Sequence, residues 1–139
     1  LIKTTLHYSP VFEAYVEADP ASLSTACFVT DWLHRFLSQE NSPFPLALLD
    51  LARMTPFRKE VYAGLCKIPF GQVASYGEVA NQIGHERASR AVGTACGRNP
   101  FPLLVPCHRV IASDGSLGGF SLDFRIKRAL LDFESNNPT

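Results

Sequence analysis

Apolar positions recur at one-turn spacing in several stretches of the chain, and each stretch predicts a helix. Thr30 to Gln39 carries Trp32, Leu33, Phe36 and Leu37 on one face, and Asn41-Ser42-Pro43-Phe44-Pro45 stops it and opens a linker. Thr55 is suited to cap the next helix, Pro56 fits its first position, and Phe57, Val61 and Leu65 form an inward stripe. Phe70-Gly71 makes a turn, after which Val79, Ala80 and Ile83 predict a short helix from Tyr76 to Ile83, closed by Gly84-His85. A further helix is predicted from Glu86 to about Arg98. Its Ala88, Ala91, Val92, Ala95 and Cys96 share one face, while Arg87, Arg90, Thr94 and Arg98 share the other. The last helix is predicted from about Ser121 to Phe133, with Leu122, Ile126, Leu130 and Phe133 facing the core and Glu134 turned toward the same interior. Residues 1 to about 25 mix short apolar runs with Ser9-Pro10 and Asp19-Pro20-Ala21-Ser22, a pattern of strands or hairpins joined by turns.

Two short helices across a tight glycine turn, the second with a basic outer stripe, make a helix-turn-helix pattern. From the arginines alone, that stripe is either a DNA face or an ordinary solvated face. Composition narrows the setting. The 139 residues are 46% hydrophobic, enough for a real core, and thirteen basic against thirteen acidic side chains leave no global field that would draw in nucleic acid. Any polyanion site is therefore local. No apolar run reaches the roughly 18 residues of a membrane span, so a soluble, intracellular protein without a membrane partner is expected. Cys27, Cys66, Cys96 and Cys107 lack the density of a disulfide scaffold and the spacing of a zinc knuckle, and they read as free thiols.

The chemistry concentrates at Cys107, which follows the stiff segment Phe101-Pro102-Leu103-Leu104-Val105-Pro106 and precedes His108. A thiol ionises near pKa ~8.5, so a base or a positive neighbour is needed to make it a nucleophile at neutral pH. Adjacent side chains on an extended strand point to opposite faces, so Cys107 and His108 cooperate only if the backbone turns or a water joins them. An inward Glu134 would hold the far nitrogen of His108 and complete a Cys-His-Glu relay. Asp114-Gly115 and Gly118-Gly119 bracket a segment that either admits a flat substrate or closes a hairpin. Tyr76 is either a phenolic proton donor or a packing aromatic, and Asn99 either ends a helix or holds a pocket loop.

Pro106-Cys107-His108-Arg109-Val110 resembles the active-site signature of the O6-alkylguanine-DNA alkyltransferases. Phe70-Gly71-Gln72-Val73-Ala74-Ser75-Tyr76 is similar to the family's lead into its helix-turn-helix. Ala88-Ser89-Arg90-Ala91-Val92-Gly93, with Arg98-Asn99-Pro100, resembles its recognition helix and asparagine hinge, and Leu130-Leu131-Asp132-Phe133-Glu134 resembles its ending. The resemblance spans about residues 56 to 134. It implies an α+β protein: a small ribonuclease-H-like α/β lobe over 1–50, then a mostly helical, winged-helix-like domain with a helix-turn-helix over 51–139.

The resemblance also implies the roles. Cys107 accepts the alkyl group, His108 is its water-linked base, Glu134 orients His108, Asn99 holds the hinge and the thiol, and Tyr76 steadies the phosphate turn and protonates the departing guanine. Arg90 is the finger that enters the stack, with Tyr76, Ala88, Ser89, Thr94 and Arg98 beside it on DNA. Pro102, Val110, Ser113, Gly118, Phe120 and Ser121 line the base pocket. The implied partner is double-stranded DNA carrying O6-alkylguanine, or O4-alkylthymine, held through the minor groove with the damaged nucleotide rotated out. The protein is expected to act once per molecule, as a monomer without cofactor, in the cytoplasm of a prokaryote or the nucleus of a eukaryote.

One departure stands out. Where the family often shows Tyr-Ser-Gly-Gly, this chain has Phe120-Ser121-Leu122-Asp123, and the bulkier Leu122 and Asp123 bear on the acceptance of large groups such as benzyl. Some relatives hold zinc in the first lobe, but His7, Cys27 and His34 lack the spacing of a strong site, and no metal is expected. Two rivals remain: a damage-binding module that has lost transfer, which in a related branch carries tryptophan at the acceptor position, and a Cys-His hydrolase, weakened by the lack of an oxyanion-hole loop.

Overall fold

A computed structural model describes residues 22–40, 42–118, 120 and 122–135, with the side chains of 22–27 left aside. The strands expected before residue 22, and the candidate residues His7 and Ser121, lie outside the described residues, as does the Cys27 side chain. Packing separates the chain between Ser42 and Pro43.

In the first unit, helix α1 is described over Ser22–Leu37, so it already includes the residues before Thr30. Serine and threonine are weak helix formers that obscured the period there, yet a helix nucleated further on propagates through them. Val29, Trp32, Leu33 and Phe36 are its buried positions. Trp32 stacks on Phe36 with centroids 5.7 Å apart, and its indole N–H donates to the Ser42 carbonyl at 2.8 Å, tying the exit chain to the helix.

The second unit begins, after a single 3-10 turn at Leu46–Leu48, with α2 at Pro56–Cys66. The Thr55 side chain accepts from the Arg58 amide and Pro56 occupies the first turn, so local chemistry alone fixes this start. Strand β1 (Ala74–Ser75) leads directly into α3 (Tyr76–Gln82), whose N-terminus is set by a reciprocal capping box between Ser75 and Glu78. Gly84, at φ 81, turns the chain in a left-handed conformation that few other residues adopt.

Helix α4 covers Ser89–Gly97, not Glu86 to Arg98. His85 to Ala88 close a turn instead, with the Ala88 amide donating to the His85 carbonyl. Val92, Ala95 and Cys96 are buried as expected, whereas Ala91 is exposed. Helices α3 and α4 pack on each other, and α2 braces both. The Tyr62 hydroxyl of α2 donates to the Ala95 carbonyl at 2.9 Å, and Arg58 donates to the Arg98 carbonyl at 3.0 Å, holding the C-terminal end of α4.

Strand β2 (Val110–Ile111) pairs in parallel with β1, in the register Ala74 to Val110 and Ser75 to Ile111. Short as it is, this pairing sets the first turn of α3 beside the chain that leaves β2.

Helix α5 runs over Phe124–Ser135 and starts later than Ser121 because Asp123 acts as its cap, accepting from the Arg125 amide at 2.8 Å. Its inward face also differs from the expected one. Ile126 is exposed, Leu122, Leu130 and Phe133 are only half-buried, and the fully buried side chains are Lys127 and Glu134. The interior here is polar, so an apolar count misassigned the face.

Candidate active site

Pro106 ends the buried segment from Phe101 and hands the chain into one 3-10 turn, Cys107–Arg109. That turn removes the geometric objection to a Cys-His pair. Three residues complete such a turn, so neighbouring side chains fan out about a third of a circle apart instead of opposing each other. All three side chains are buried, and Cys107 and His108 have no exposed surface.

Asn99, just past the C-terminal end of α4, holds the sulfur. Its side-chain amide donates to Cys107 Sγ at 3.2 Å and to the Val105 carbonyl at 2.9 Å, while its oxygen accepts the Phe101 amide at 2.9 Å. One buried side chain thus fixes the loop and offers the thiolate a donor. The backbone contributes strain-bearing shape as well, with Leu103 at φ 75 while its side chain is buried.

His108 Nε2 donates to Glu134 Oε1 at 2.7 Å, and the carboxylate in turn receives Arg109 through Nε at 3.0 Å and Nη2 at 2.8 Å. The Gly71 amide adds a donor at 3.3 Å to Oε2. With its proton committed to the carboxylate, the ring of His108 leaves Nδ1 as the basic atom, and Nδ1 has no protein partner. Burial pushes the His108 pKa down; Glu134 works against that, and Arg109 and Lys127 add to it. The imidazole is therefore neutral and able to accept a proton. Burial alone would push the Glu134 carboxyl up, but hydrogen bonds from His108 and Arg109 more than offset it and hold the carboxyl below its usual range.

Lys127 and Arg109 are the site residues that sequence reasoning missed. The Lys127 ammonium, in a side chain with no exposed surface, donates to the Leu117 carbonyl and to the Tyr76 hydroxyl at 3.5 Å, and stands 5.8 Å and 5.9 Å from the ring centroids of Tyr76 and Phe120. Burial lowers its pKa, and the nearby Cys107 and Cys96 sulfurs raise it. A cation acting on Cys107 favours the thiolate. The signal was available: Lys127 lies two turns before Glu134 on the same helix face. For Arg109 no periodic signal existed, because it sits in the turn itself.

Of the remaining candidates, Tyr76, Ser89, Arg90, Thr94 and Ser113 line one open groove of about 660 Å³, together with Ser75, Gly77, Gly93 and Ala112. The parallel pairing of β1 with β2 explains why Tyr76 meets Ser113. Ala88 sits at the N-cap of α4, and Arg98 at its far end with its carbonyl engaged by Arg58, so neither lines the groove. Pro102 and Val110 are buried and act as packing, Val110 through the β pairing. Gly118 packs against Tyr76, where an added Cβ would fall 2.6 Å from Cε2, and Phe120 faces Lys127. Cys107 does not line the groove.

The other two described thiols, Cys66 and Cys96, are inert by comparison. Burial pushes Cys96 up to about 12 and Cys66 up to about 11. Among the described residues, no cluster of three or more His, Cys, Asp or Glu side chains is arranged to hold a metal ion.

Residues 56–136 match the family described as 6-O-methylguanine DNA methyltransferase, DNA binding domain. A methylated-DNA–protein-cysteine methyltransferase of Mycobacterium tuberculosis strain H37Rv is 44% identical over 118 residues, covering 85% of this chain and 68% of the relative. The crystal structure of a Mycobacterium tuberculosis O6-methylguanine methyltransferase superposes with a TM-score of 0.69 at 41% identity, over 87% of this chain and 70% of that one. A Mycobacterium tuberculosis OGT solved in complex with DNA gives 0.66 at 43% identity, over 76% of this chain and 63% of that one. Its mixed, mostly helical architecture agrees with theirs. The matched segment contains the whole constellation from Tyr76 to Glu134, and the chain belongs to the 6-O-methylguanine DNA methyltransferase family.

Proposed function

We propose that this chain repairs DNA by moving the alkyl group of O6-alkylguanine, or of O4-alkylthymine, irreversibly onto Cys107. The observation that carries the reading is the buried chain from Glu134 through His108 beside a thiol held by Asn99. The proton of Cys107 passes through a water to His108 Nδ1, the partnerless nitrogen. The thiolate sulfur attacks the alkyl carbon, a C–S bond forms as the C–O6 bond breaks, and the electron pair goes to the purine. Tyr76, with its hydroxyl near Lys127, supplies the proton the purine takes up, ordinary general-acid catalysis at the leaving group. The thioether stays: half-buried Cys66 and buried Cys96 are both held protonated, so neither offers a thiolate to displace it.

The alkyl carbon of a stacked base cannot reach a sulfur with no exposed surface, so the nucleotide must leave the helix, at a cost of a few kcal/mol. The groove between Tyr76, Ser89, Arg90 and Ser113 supports an approach to the minor groove with α4, and the protein acts as a monomer in this reading. Ser89 and Gly93 allow close approach, and exposed Arg90 fills the gap the base leaves. The base then passes toward Cys107 by displacing the exposed turn over Ser113–Ser116.

Intact mass and peptide mapping after incubation with O6-methylguanine DNA test the reading. One methyl per protein on the Cys107 peptide is expected. Unmodified protein alongside many repaired bases, or bound DNA with no methyl transferred, would overturn it.

A further inference from the structure

We infer that Arg109 is a positioning residue that separates the two effects of Glu134 on His108, leaving the carboxylate free to orient the ring while cancelling the charge that would hold a second proton there. The inference deepens the alkyl-transfer reading and rests on it for its catalytic meaning.

Two consecutive residues of one turn converge on a single carboxylate, and they load the same oxygen. Oε1 takes His108 Nε2 at 2.7 Å and Arg109 Nη2 at 2.8 Å, and Arg109 Nε lies 3.0 Å from both oxygens. The guanidinium does not simply follow α5. Its Nη1 donates to the Ile68 carbonyl at 2.7 Å, and its Cζ lies 5.8 Å from the Phe70 ring centroid, so the fork is anchored to the chain that precedes β1. Glu134, His108 and Arg109 are almost wholly buried, where a fixed opposite charge has its largest effect.

The charged and titratable groups around His108 are Glu134 and Lys127 from α5 and Arg109 from its own turn. A buried carboxylate alone against an imidazole favours the imidazolium, which would occupy Nδ1 with a proton and leave no base for the thiol. Glu134 does make that contact. The bidentate Arg109 beside it offsets the negative charge without moving the acceptor atom, so the ring keeps one proton, on Nε2, and one lone pair, on Nδ1. Orientation is retained and the base stays unprotonated.

NMR titration of the His108 imidazole, without DNA, tests this in the full chain. In R109M the midpoint should rise by about one pH unit or more, the size expected on removing a nearby like charge. R109K, which keeps the cation, should stay closer to wild type than R109M does. R109M leaves a buried carboxylate without its cation and can unfold for that reason. E134Q and R109M/E134Q therefore provide a second comparison, since glutamine retains the acceptor oxygen. The double variant should titrate above E134Q alone, because only a cation has been removed. A purely structural Arg109 predicts the same His108 midpoint in R109M as in wild type, or in the double variant as in E134Q, and either result overturns the inference. Methyl uptake by the wild type is scored separately, so failure of transfer and failure of the Arg109 assignment are distinguishable.

Discussion

The side-chain amide of Asn99 donates to the Cys107 sulfur at 3.2 Å while holding the Val105 carbonyl at 2.9 Å, so the residue that shapes the loop also supports the nucleophile. Asn99→Ala would orphan the buried Phe101 amide and take one of two donors from the Val105 carbonyl, which keeps the Cys107 amide, at a cost of about 1–3 kcal/mol of stability. Asn99→Asp keeps an acceptor for Phe101 but loses the donor to sulfur and places negative charge beside it. Methyl transfer by Asn99→Asp should fall by about tenfold or more at temperatures where its circular dichroism remains native. A folded Asn99→Asp protein with wild-type transfer would refute the donor role.

Lys127 donates to the Tyr76 hydroxyl and acts electrostatically on the Cys107 thiol, and its removal should slow transfer and change how stability depends on pH. Lys127→Met keeps the volume and removes a buried ammonium, so transfer is expected to slow as the thiolate loses its cation. Because burial lowers the folded-state pKa of Lys127, the unfolded chain binds more protons between the folded value and the ordinary value near ~10.4. Wild-type stability therefore gains with rising pH through that window. Lys127→Met should lose that gain, and urea midpoints compared at about pH 7 and about pH 9.5 read the difference. Equal pH dependence in both proteins would contradict a buried, charged Lys127.

The helices were legible from the chain where apolar period and end chemistry agreed. Thr55-Pro56 marked one start by its end chemistry, whereas the start at Tyr76 was read from Val79, Ala80 and Ile83 and is set in the fold by the capping box of Ser75 with Glu78. Glu86 to Ala88 misled because nothing in their composition opposes a helix, and only the turn hydrogen bond from Ala88 to His85 excludes it. The relay of Cys107, His108, Asn99 and Glu134 was visible because its members sit in a recognisable motif. The buried cations were not, since Lys127 and Arg109 look like surface charge until the polar interior around Glu134 and Leu117 is assembled.

Glu134 ties the relay to acid stability. Its carboxyl is held below the usual range in the folded protein, so its contribution is complete above the unfolded value near ~4.3 and disappears as pH falls through the folded value. Glu134→Gln leaves Arg109 buried without its counter-charge, for a loss of about 3–5 kcal/mol at neutral pH. Below about pH 4 the gap between the two proteins should narrow. Chemical denaturation across pH checks this, and a constant gap would show that Glu134 titrates alike in both states.

Arg90 lies on the exposed face of α4, at the rim of the groove that also holds Tyr76 and Ser113. None of the contacts that bind the thiol involve it, so its contribution to transfer must come through DNA. A base rotated out of the stack leaves a gap whose cost, a few kcal/mol, falls on the duplex complex alone. Free O6-methylguanine or O6-benzylguanine has no stack to leave, and its reaction with Cys107 draws only on Asn99, His108, Glu134, Tyr76 and Lys127. Arg90→Ala should therefore slow methyl transfer from duplex DNA by about tenfold to a hundredfold, the share of that cost one inserted side chain offsets, while free-base transfer stays close to wild type. Single-stranded DNA should fall between. Stopped-time mass spectrometry of the Cys107 peptide measures all three on one scale. Equal slowing on duplex and free base would place Arg90 in the transfer step itself and exclude insertion into the stack.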